Sequence, residues 1–385
     1  MADQIIAVRP LTNQIVAHDL GVTNYNTSRE LNGPGGVFGS ISPAVAFQRA
    51  NDGFPIVEPY MTALFVTDGT RIKGGGLVTS ISNSGPERTF NAPGYFSILN
   101  GQPFLDTRGP ADFERPELPL RAMLNHLQAQ PRGNLRLTLE LPSNHYLVIG
   151  SGGAPYTLMK TNYTDVGAEM ARLLEACSMD WVEEHAATLN ATTGLHELTH
   201  TIRASFPRMG TVRTDQLFHE DENIVALSEV TYGGDNYSAD VIVRGAGEGY
   251  AAEDAGMVRR ATRNDGRVRR AVVVTDGTLV TPAQVQARAL REVEARKVHG
   301  ELNSITVRDH PNARLSAIRL GDDITVRYTS RHHAGLRETL CRIVSIEEGS
   351  GTPDQLTLNL RPSGDFSYMP TSNPHPDQQP YLVEV

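Results

Sequence analysis

Residues 195–207 read LHELTHTIRASFP. Whether they coil into a helix or run as a strand decides the kind of protein this is. His196-Glu197-Leu198-Thr199-His200 matches HExxH. On a helix, two histidines four positions apart share one face and can hold zinc, with the glutamate as general base beside the metal-bound water. That arrangement makes a zinc metallopeptidase using His196, Glu197 and His200 the alternative reading. The flanking residues point to a strand. His196, Leu198, His200, Ile202 and Ala204 alternate with Glu197, Thr199, Thr201 and Arg203, so the second face is uniformly polar. Gly194 stands just upstream, in a Thr192-Thr193-Gly194 turn. On a strand the two histidines lie about 13 Å apart and cannot share one ion. The expectation is a strand over 195–205 that binds no zinc.

Upstream of this stretch the pattern is helical. Leu120, Met123, Leu124 and Leu127 recur at helical spacing between Pro119, suited to a first helical turn, and Pro131, which ends the helix. Leu135, Leu137 and Leu139 then alternate with Arg136, Thr138 and Glu140 as a half-buried strand. Val166, Met170, Leu173, Leu174, Cys177 and Trp181 trace one apolar stripe, which predicts a helix over 165–185. Helix, strand, helix and strand therefore span about 117–206, preceded by a proline-bracketed linker at 108–116.

Residues 1–107 read as β structure, a small barrel or sandwich. Asp68-Gly69 joins two strand-like runs, and Gly74, Gly75 and Gly76 open the second, where backbone must bend or approach a neighbour closely. Beyond 206, strand-like runs return with one helix among them. Thr281-Pro282 begins it, Val285, Ala289, Val293 and Val298 line one side, and Gly300 is expected to end it. The fold class expected is α+β, mainly β, with two small β barrels bracketing an α/β domain. The division is 1–107 for the first barrel, 108–205 for the α/β domain, 206–230 with 300–362 for the second barrel, and 231–299 for an inserted β/α segment. Residues 363–385 form an extended C-terminal arm, expected to order only against a neighbour through Tyr381 and Leu382.

Composition narrows the function. The chain has 385 residues, enough for two to four domains, and 35 glycines with 23 prolines favour turns and short strands. No apolar run is long enough for a transmembrane helix, and the start shows no signal-peptide pattern. The net charge of −9 disfavours stable nucleic-acid binding. Only Lys73, Lys160 and Lys297 are lysines, so 32 of the 35 basic residues are arginines. Cys177 and Cys341, the two cysteines, fall in apolar patterns and read as buried hydrophobes.

Several other motifs look chemical. Gly245-Ala246-Gly247-Glu248-Gly249 follows a strand like a dinucleotide loop, but Tyr250 stands where the third glycine belongs, so a tight turn is the better reading. Arg259, Arg260, Arg263, Arg267, Arg269 and Arg270 make the basic cluster. It lacks interleaved aromatics and follows Glu248, Glu253 and Asp254, which favours ion pairs between elements or subunits over nucleic acid. Asp322-Asp323 and Glu183-Glu184 read as turns or solvated faces. No GxSxG occurs, and no Cys/His spacing suits a metal.

The chain contains, in this order, ELNGPGGVFGSISP at 30–43, RIKGGGLV at 71–78, SFPRMGTVRTDQLFHEDENIV at 205–225, VRGAGEGY at 243–250, the helix after TPAQVQARAL, and LGDDITVRY at 320–328. Together these stretches resemble the phage tail-tip and baseplate hub family, especially minor tail proteins of actinobacteriophages. The resemblance implies two related barrels per chain and a homotrimer whose six barrels match a hexameric tail tube. It implies a structural virion protein at the tail tip, assembled in the host cytoplasm, that closes the tube. Implied partners are the distal tail protein or tube ring, the tape-measure protein and the tail fibre or tip proteins. It implies no catalysis, no catalytic, cofactor-binding or metal-binding residues, and a strand at 196–200. The chain ends soon after the second barrel, so no C-terminal lytic or receptor-binding domain is expected. A third reading is a non-viral β-rich module that binds carbohydrate or protein, which oligomeric state would separate from a hub.

Overall fold

The computed structural model describes residues 3–366 except 23, 47, 85–86, 113, 144–147, 150–154, 178, 190–195, 233–236, 246, 248–255, 265, 277–281, 297–298, 331–334 and 353. The architecture is α+β and mainly β.

Near the N-terminus two four-stranded layers face each other. The first contains β1 (Gln4–Arg9), β2 (Gln14–Ala17), β5 (Ala63–Thr67) and β6 (Ile72–Leu77), antiparallel in the order β2-β1-β5-β6. The second contains β3 (Asn24–Glu30), β4 (Gly36–Ile41), β7 (Ser80–Ser84) and β8 (Glu87–Pro93) in the order β3-β4-β8-β7. A short helix α1 (Pro43–Ala46) follows β4. Ile5, Ala7, Leu64 and Val66 meet Val37, Ile41, Phe90 and Ala92 between the layers. The alternate residues Val8, Ala63, Phe65 and Leu77 enter a different core on the far side of the first layer. Burial on both faces explains why these strands read as nearly unbroken apolar runs.

The predicted Asp68-Gly69 turn joins β5 to β6, with Gly69 at φ +88°. The glycine run of β6 meets the expected close approach. A Cβ on Gly75 would lie 2.2 Å from the Phe65 ring, and one on Gly76 would lie 1.9 Å from the Pro93 carbonyl oxygen.

The middle of the chain packs helices against the far face of the first layer. Here lie α2 (Phe96–Leu99), α3 (Glu117–Ala129) and α4 (Val166–Ala176). β9 (Arg108–Ala111) pairs with β11 (Tyr156–Leu158), and β10 (Leu137–Glu140), β13 (His196–Ser205) and β12 (Asp180–Leu189) form a second sheet in that order. α3 buries the four residues that its periodicity predicts. The expected 165–185 helix is shorter. It starts with the Asp165 carboxylate capping the Ala168 N–H at 3.1 Å and ends at Ala176. From Asp180 the chain is a strand, paired residue for residue with β13 from Asp180↔Ser205 to Leu189↔His196. That ladder overrides the helical spacing that places Trp181 on the stripe. Trp181 is buried all the same, stacked on Phe96 at 4.2 Å.

The C-terminal half is a six-stranded arrangement, β14-β20-β21-β22-β19-β15. Its strands are β14 (Val212–His219), β15 (Ile224–Tyr232), β19 (His299–Arg308), β20 (Asp323–Thr329), β21 (Leu336–Gly349) and β22 (Gln355–Pro362). The edge strands β14 and β15 are consecutive in sequence. Their turn is fastened by Asn223, which accepts the His219 N–H and donates to the Leu217 carbonyl. Phe218, Ile305, Val307, Ile324, Val326, Ile343 and Leu358 fill the interior.

β21 joins the two halves. Its first part, Leu336–Arg342, pairs with β20, and its last part, Ser345–Gly349, pairs with β3. One sheet therefore runs from the C-terminal strands into the second N-terminal layer.

Between β15 and β19 the chain builds a small unit with its own core. β17 (Val258–Thr262), β16 (Asp240–Arg244) and β18 (Ala271–Thr275) form a three-stranded sheet in that order, with α5 (Pro282–Ala295) on one face. Val241, Val243, Met257 and Ala261 meet Val285, Ala289 and Val293. The β15–β19 ladder ends at Tyr232↔His299, so the unit grows from the tip of one strand pair. Gly300 lies within β19 opposite Thr231; the helix stops at Ala295 and not at this glycine. Thr281 and Val298 lie outside the described residues, as does the arm from 367 onward.

Candidate functional site

The HExxH stretch lies in β13, as its alternation predicts. Leu198, His200, Ile202 and Ala204 are buried, whereas Thr199 and Arg203 are exposed. His200 faces inward into an aromatic cage. Its ring stacks on Phe65 at 5.2 Å and meets Tyr95 edge-on at 4.6 Å. Its Nδ1 lies 2.9 Å from Nδ1 of His185, directly across the ladder. One of these nitrogens must donate and the other accept, so at least the accepting ring is neutral. Burial favours the neutral form of both, pushing His185 down to about 4 despite a hydrogen bond with the Gly75 backbone, and His200 down to about 2, where any charge on His185 would further oppose a second charge. An extended backbone removes the one-face geometry that a zinc peptidase needs, and His200 spends a ring nitrogen on its neighbour. Among the described residues no cluster of three His, Cys, Asp or Glu side chains is placed to hold a metal.

Glu183 sits beneath this pair. The expected solvated face does not hold for it, because β12 lies beneath the first β layer at this point and Glu183 is buried. Its two carboxylate oxygens accept the Tyr95 and Phe96 N–H groups at 2.6 and 2.9 Å, and Oε1 lies 3.4 Å from His185 Nε2. Burial pushes the carboxyl up to about 7, and the two N–H donors oppose the rise. Its neighbour Glu184 does lie on the solvent face, paired with Arg203 at 3.0 Å.

A second polar centre lies where N-terminal, middle and C-terminal strands converge. Asp180 at the start of β12 receives Arg342 of β21 at 2.5 Å, the Met209 N–H at 2.9 Å and the Asn32 amide at 3.2 Å. Arg342 also donates to the Met209 carbonyl at 2.8 Å, and its guanidinium lies 4.8 Å from the Phe366 ring centroid. Asn32 and Trp181 exchange two further hydrogen bonds, each 2.8 Å. Nothing in the sequence singles out this centre.

Other ion pairs repeat the theme. Lys73 of β6 bridges Asp3 at 2.9 Å and Glu348 of β21 at 3.2 Å, and Arg29 of β3 reaches the same Glu348 at 3.1 Å. Asp322 and Asp323 are buried, not solvated, because the 208–213 segment folds over them. Arg208 pairs with Asp323 at 2.9 Å and Arg213 with Asp322 at 3.2 Å, while a Cβ on Gly210 would lie 2.2 Å from the Gly321 backbone. In the inserted unit Asp240 gathers Arg260 and Arg269 of the arginine cluster at 2.6 and 2.5 Å, which is the ion pairing between elements expected there. Gly247 after β16 has φ +102°, a turn conformation; Ala246, Glu248, Gly249 and Tyr250 lie outside the described residues. Cys177 and Cys341 are free thiols buried in separate cores, as expected. No described helix is long and apolar enough to cross a membrane.

The Asp180–Arg342, Glu183 and Lys73–Glu348 centres are buried fasteners between layers. No protein-family profile matches the chain, and no characterised protein matches it in sequence. Solved structures do match in fold. A prophage MuSo2 43 kDa tail protein from Shewanella oneidensis aligns with TM-score 0.54 at 12% identity, over 94% of this chain and 98% of that one. A tail protein from Neisseria meningitidis aligns with TM-score 0.57 at 13% identity, over 94% and 98%. A prophage tail protein from Listeria monocytogenes aligns with TM-score 0.50 at 12% identity, over 94% and 95%. The chain shares the fold of these tail proteins along nearly its whole length.

Proposed function

We propose that this protein is a structural component of a phage tail, a non-catalytic hub at the tail tip that closes the tail tube. The observation that carries the reading is the end-to-end fold likeness to tail proteins, whose own chains are covered almost completely. In this reading the two facing layers around residues 4–93 act as one barrel and the six strands of the C-terminal half as a second. Residues 108–205 form the α/β domain and 231–299 the insertion. Three chains then supply six barrels, which suits a six-fold neighbour, and a heterologous interface closes the ring. The partners are a distal tail protein or tube ring on one side and fibre or tip proteins on the other, with the tape-measure protein reaching the hub from inside. The protein resides in the virion and is assembled in the host cytoplasm, and it needs no cofactor, metal, nucleic acid or membrane.

Electron cryomicroscopy of the purified protein tests this. The expected result is a three-fold ring with two β units per chain around the axis. A two-fold particle, or a ring in which only one of the β units lies around the axis, would overturn it.

A further inference from the structure

An apolar cavity of about 670 Å³ opens between the N-terminal layers and the end of α3. Leu11, Phe54 and Tyr60 form one wall, Leu127 and Leu135 the other, with Arg132 also lining it. The first three are 43, 51 and 67% exposed, so large apolar groups are presented to solvent around one concavity. A patch of this kind marks a binding surface.

The chain carries a segment of matching chemistry. Residues 381–385 are Tyr381, Leu382, Val383, Glu384 and Val385: four apolar side chains with one carboxylate. They follow a polar stretch with prolines at 370, 374, 376 and 380. We propose that residues 381–385 of this chain dock in the cavity, with Tyr381 and Leu382 on the apolar walls and the Glu384 carboxylate at Arg132.

Reach permits it. Phe366 lies under Arg342, which holds Asp180; the adjoining Trp181 stacks on Phe96, and Leu99, one turn further along α2, lines the cavity. That series of contacts bounds the distance from Phe366 to the cavity at roughly 35 Å, using ordinary side-chain and backbone lengths. Residues 367–380 span about 43 Å at the rise of a proline-rich chain. The segment is therefore long enough to reach the cavity of its own copy. The inference does not depend on the tail assignment.

The test places a photo-crosslinking p-benzoylphenylalanine at Leu11 of the full-length protein, with a control at Phe38, which is 57% exposed on β4. Mass spectrometry of the digested adducts identifies the partner segment. The expected result is adducts from position 11 to residues 376–385, none from position 38, and at least a five-fold lower yield in a Tyr381→Ala/Leu382→Ala variant. Mixing isotope-labelled and unlabelled chains tells own-copy from neighbour adducts, and either supports docking. Adducts confined to another segment or another protein, no adduct at position 11, or a yield unchanged in the double variant would overturn it.

Discussion

Arg342 and Asp180 form a salt bridge at 2.5 Å with side chains only 1 and 5% exposed, tying a strand of the C-terminal half to the first strand residue of β12. The carboxylate also holds Met209 and Asn32, so one buried anion fixes segments from three parts of the chain. Removing both charges from water costs several kcal/mol per ion, and the surrounding hydrogen bonds offset that cost only while both partners remain.

Arg342→Met or Asp180→Asn alone is therefore expected to destabilise the chain by about 3–5 kcal/mol, because each leaves the other charge buried and uncompensated. The double variant should lose clearly less than the sum. Urea denaturation of all four proteins checks this. Additive losses, or single losses within the surface range of about 0.5 kcal/mol, would show that the pair fastens nothing.

The close approach at β6 makes a steric prediction. Gly76→Ala places a methyl group 1.9 Å from the Pro93 carbonyl oxygen, backbone that cannot swing away. A loss of about 1–3 kcal/mol, or insoluble protein, is expected. Gly109→Ala, where nothing lies within 4 Å of the new atom, should be near neutral. Equal thermal midpoints for the two variants would contradict the packing described.

The buried histidine pair makes stability depend on pH. The folded values of about 4 for His185 and about 2 for His200 lie below the ordinary 6.5, so their contribution is complete above pH 6.5 and is lost as pH falls. Glu183, raised from 4.5 to about 7, works the other way; its contribution is complete below pH 4.5 and is lost as pH rises toward 7. Each group changes stability by about 1.4 kcal/mol per pH unit within its window. Between pH 6.5 and 4.5, His200→Gln should therefore lose stability more slowly than wild type by about that slope, and Glu183→Gln more quickly. Denaturation midpoints across this range decide it. Parallel slopes in all three proteins would refute the assignment.

A strand at 196–205 predicts that the purified chain carries no stoichiometric zinc and melts at the same temperature with and without a chelator. Elemental analysis that found one zinc per chain, lost on His200→Ala, would restore the metallopeptidase alternative.

Much of this fold is legible in the sequence, and the misreadings share one cause. The HELTH alternation, the Asp68-Gly69 turn, the α3 stripe and the glycine crowding of β6 are local, so the residues that encode them are neighbours in the chain. The helix predicted to reach 185 stops at Ala176 because β13, encoded twenty residues later, pairs with Asp180–Leu189. Arg342 alternates with Cys341 and Ile343, which reads as a strand with one polar face. That face is covered by Asp180 and Met209, which the local pattern cannot reveal. Glu183 and Asp322-Asp323 depart from their expected exposure for the same reason. A charged residue reads as solvated until a distant backbone supplies its hydrogen bonds. The one signal that could have flagged Glu183 and His185 is their position in the run DWVEEHAAT, where charged residues come after Trp181 and Val182 without a turn residue between.

Native mass spectrometry of the purified full-length chain tests the hub reading most directly. A chain of 42.0 kDa is expected as a trimer, three times 42.0 or 126 kDa, persisting on dilution. A stable monomer at 42 kDa or a dimer at 84 kDa, twice 42.0, would contradict it.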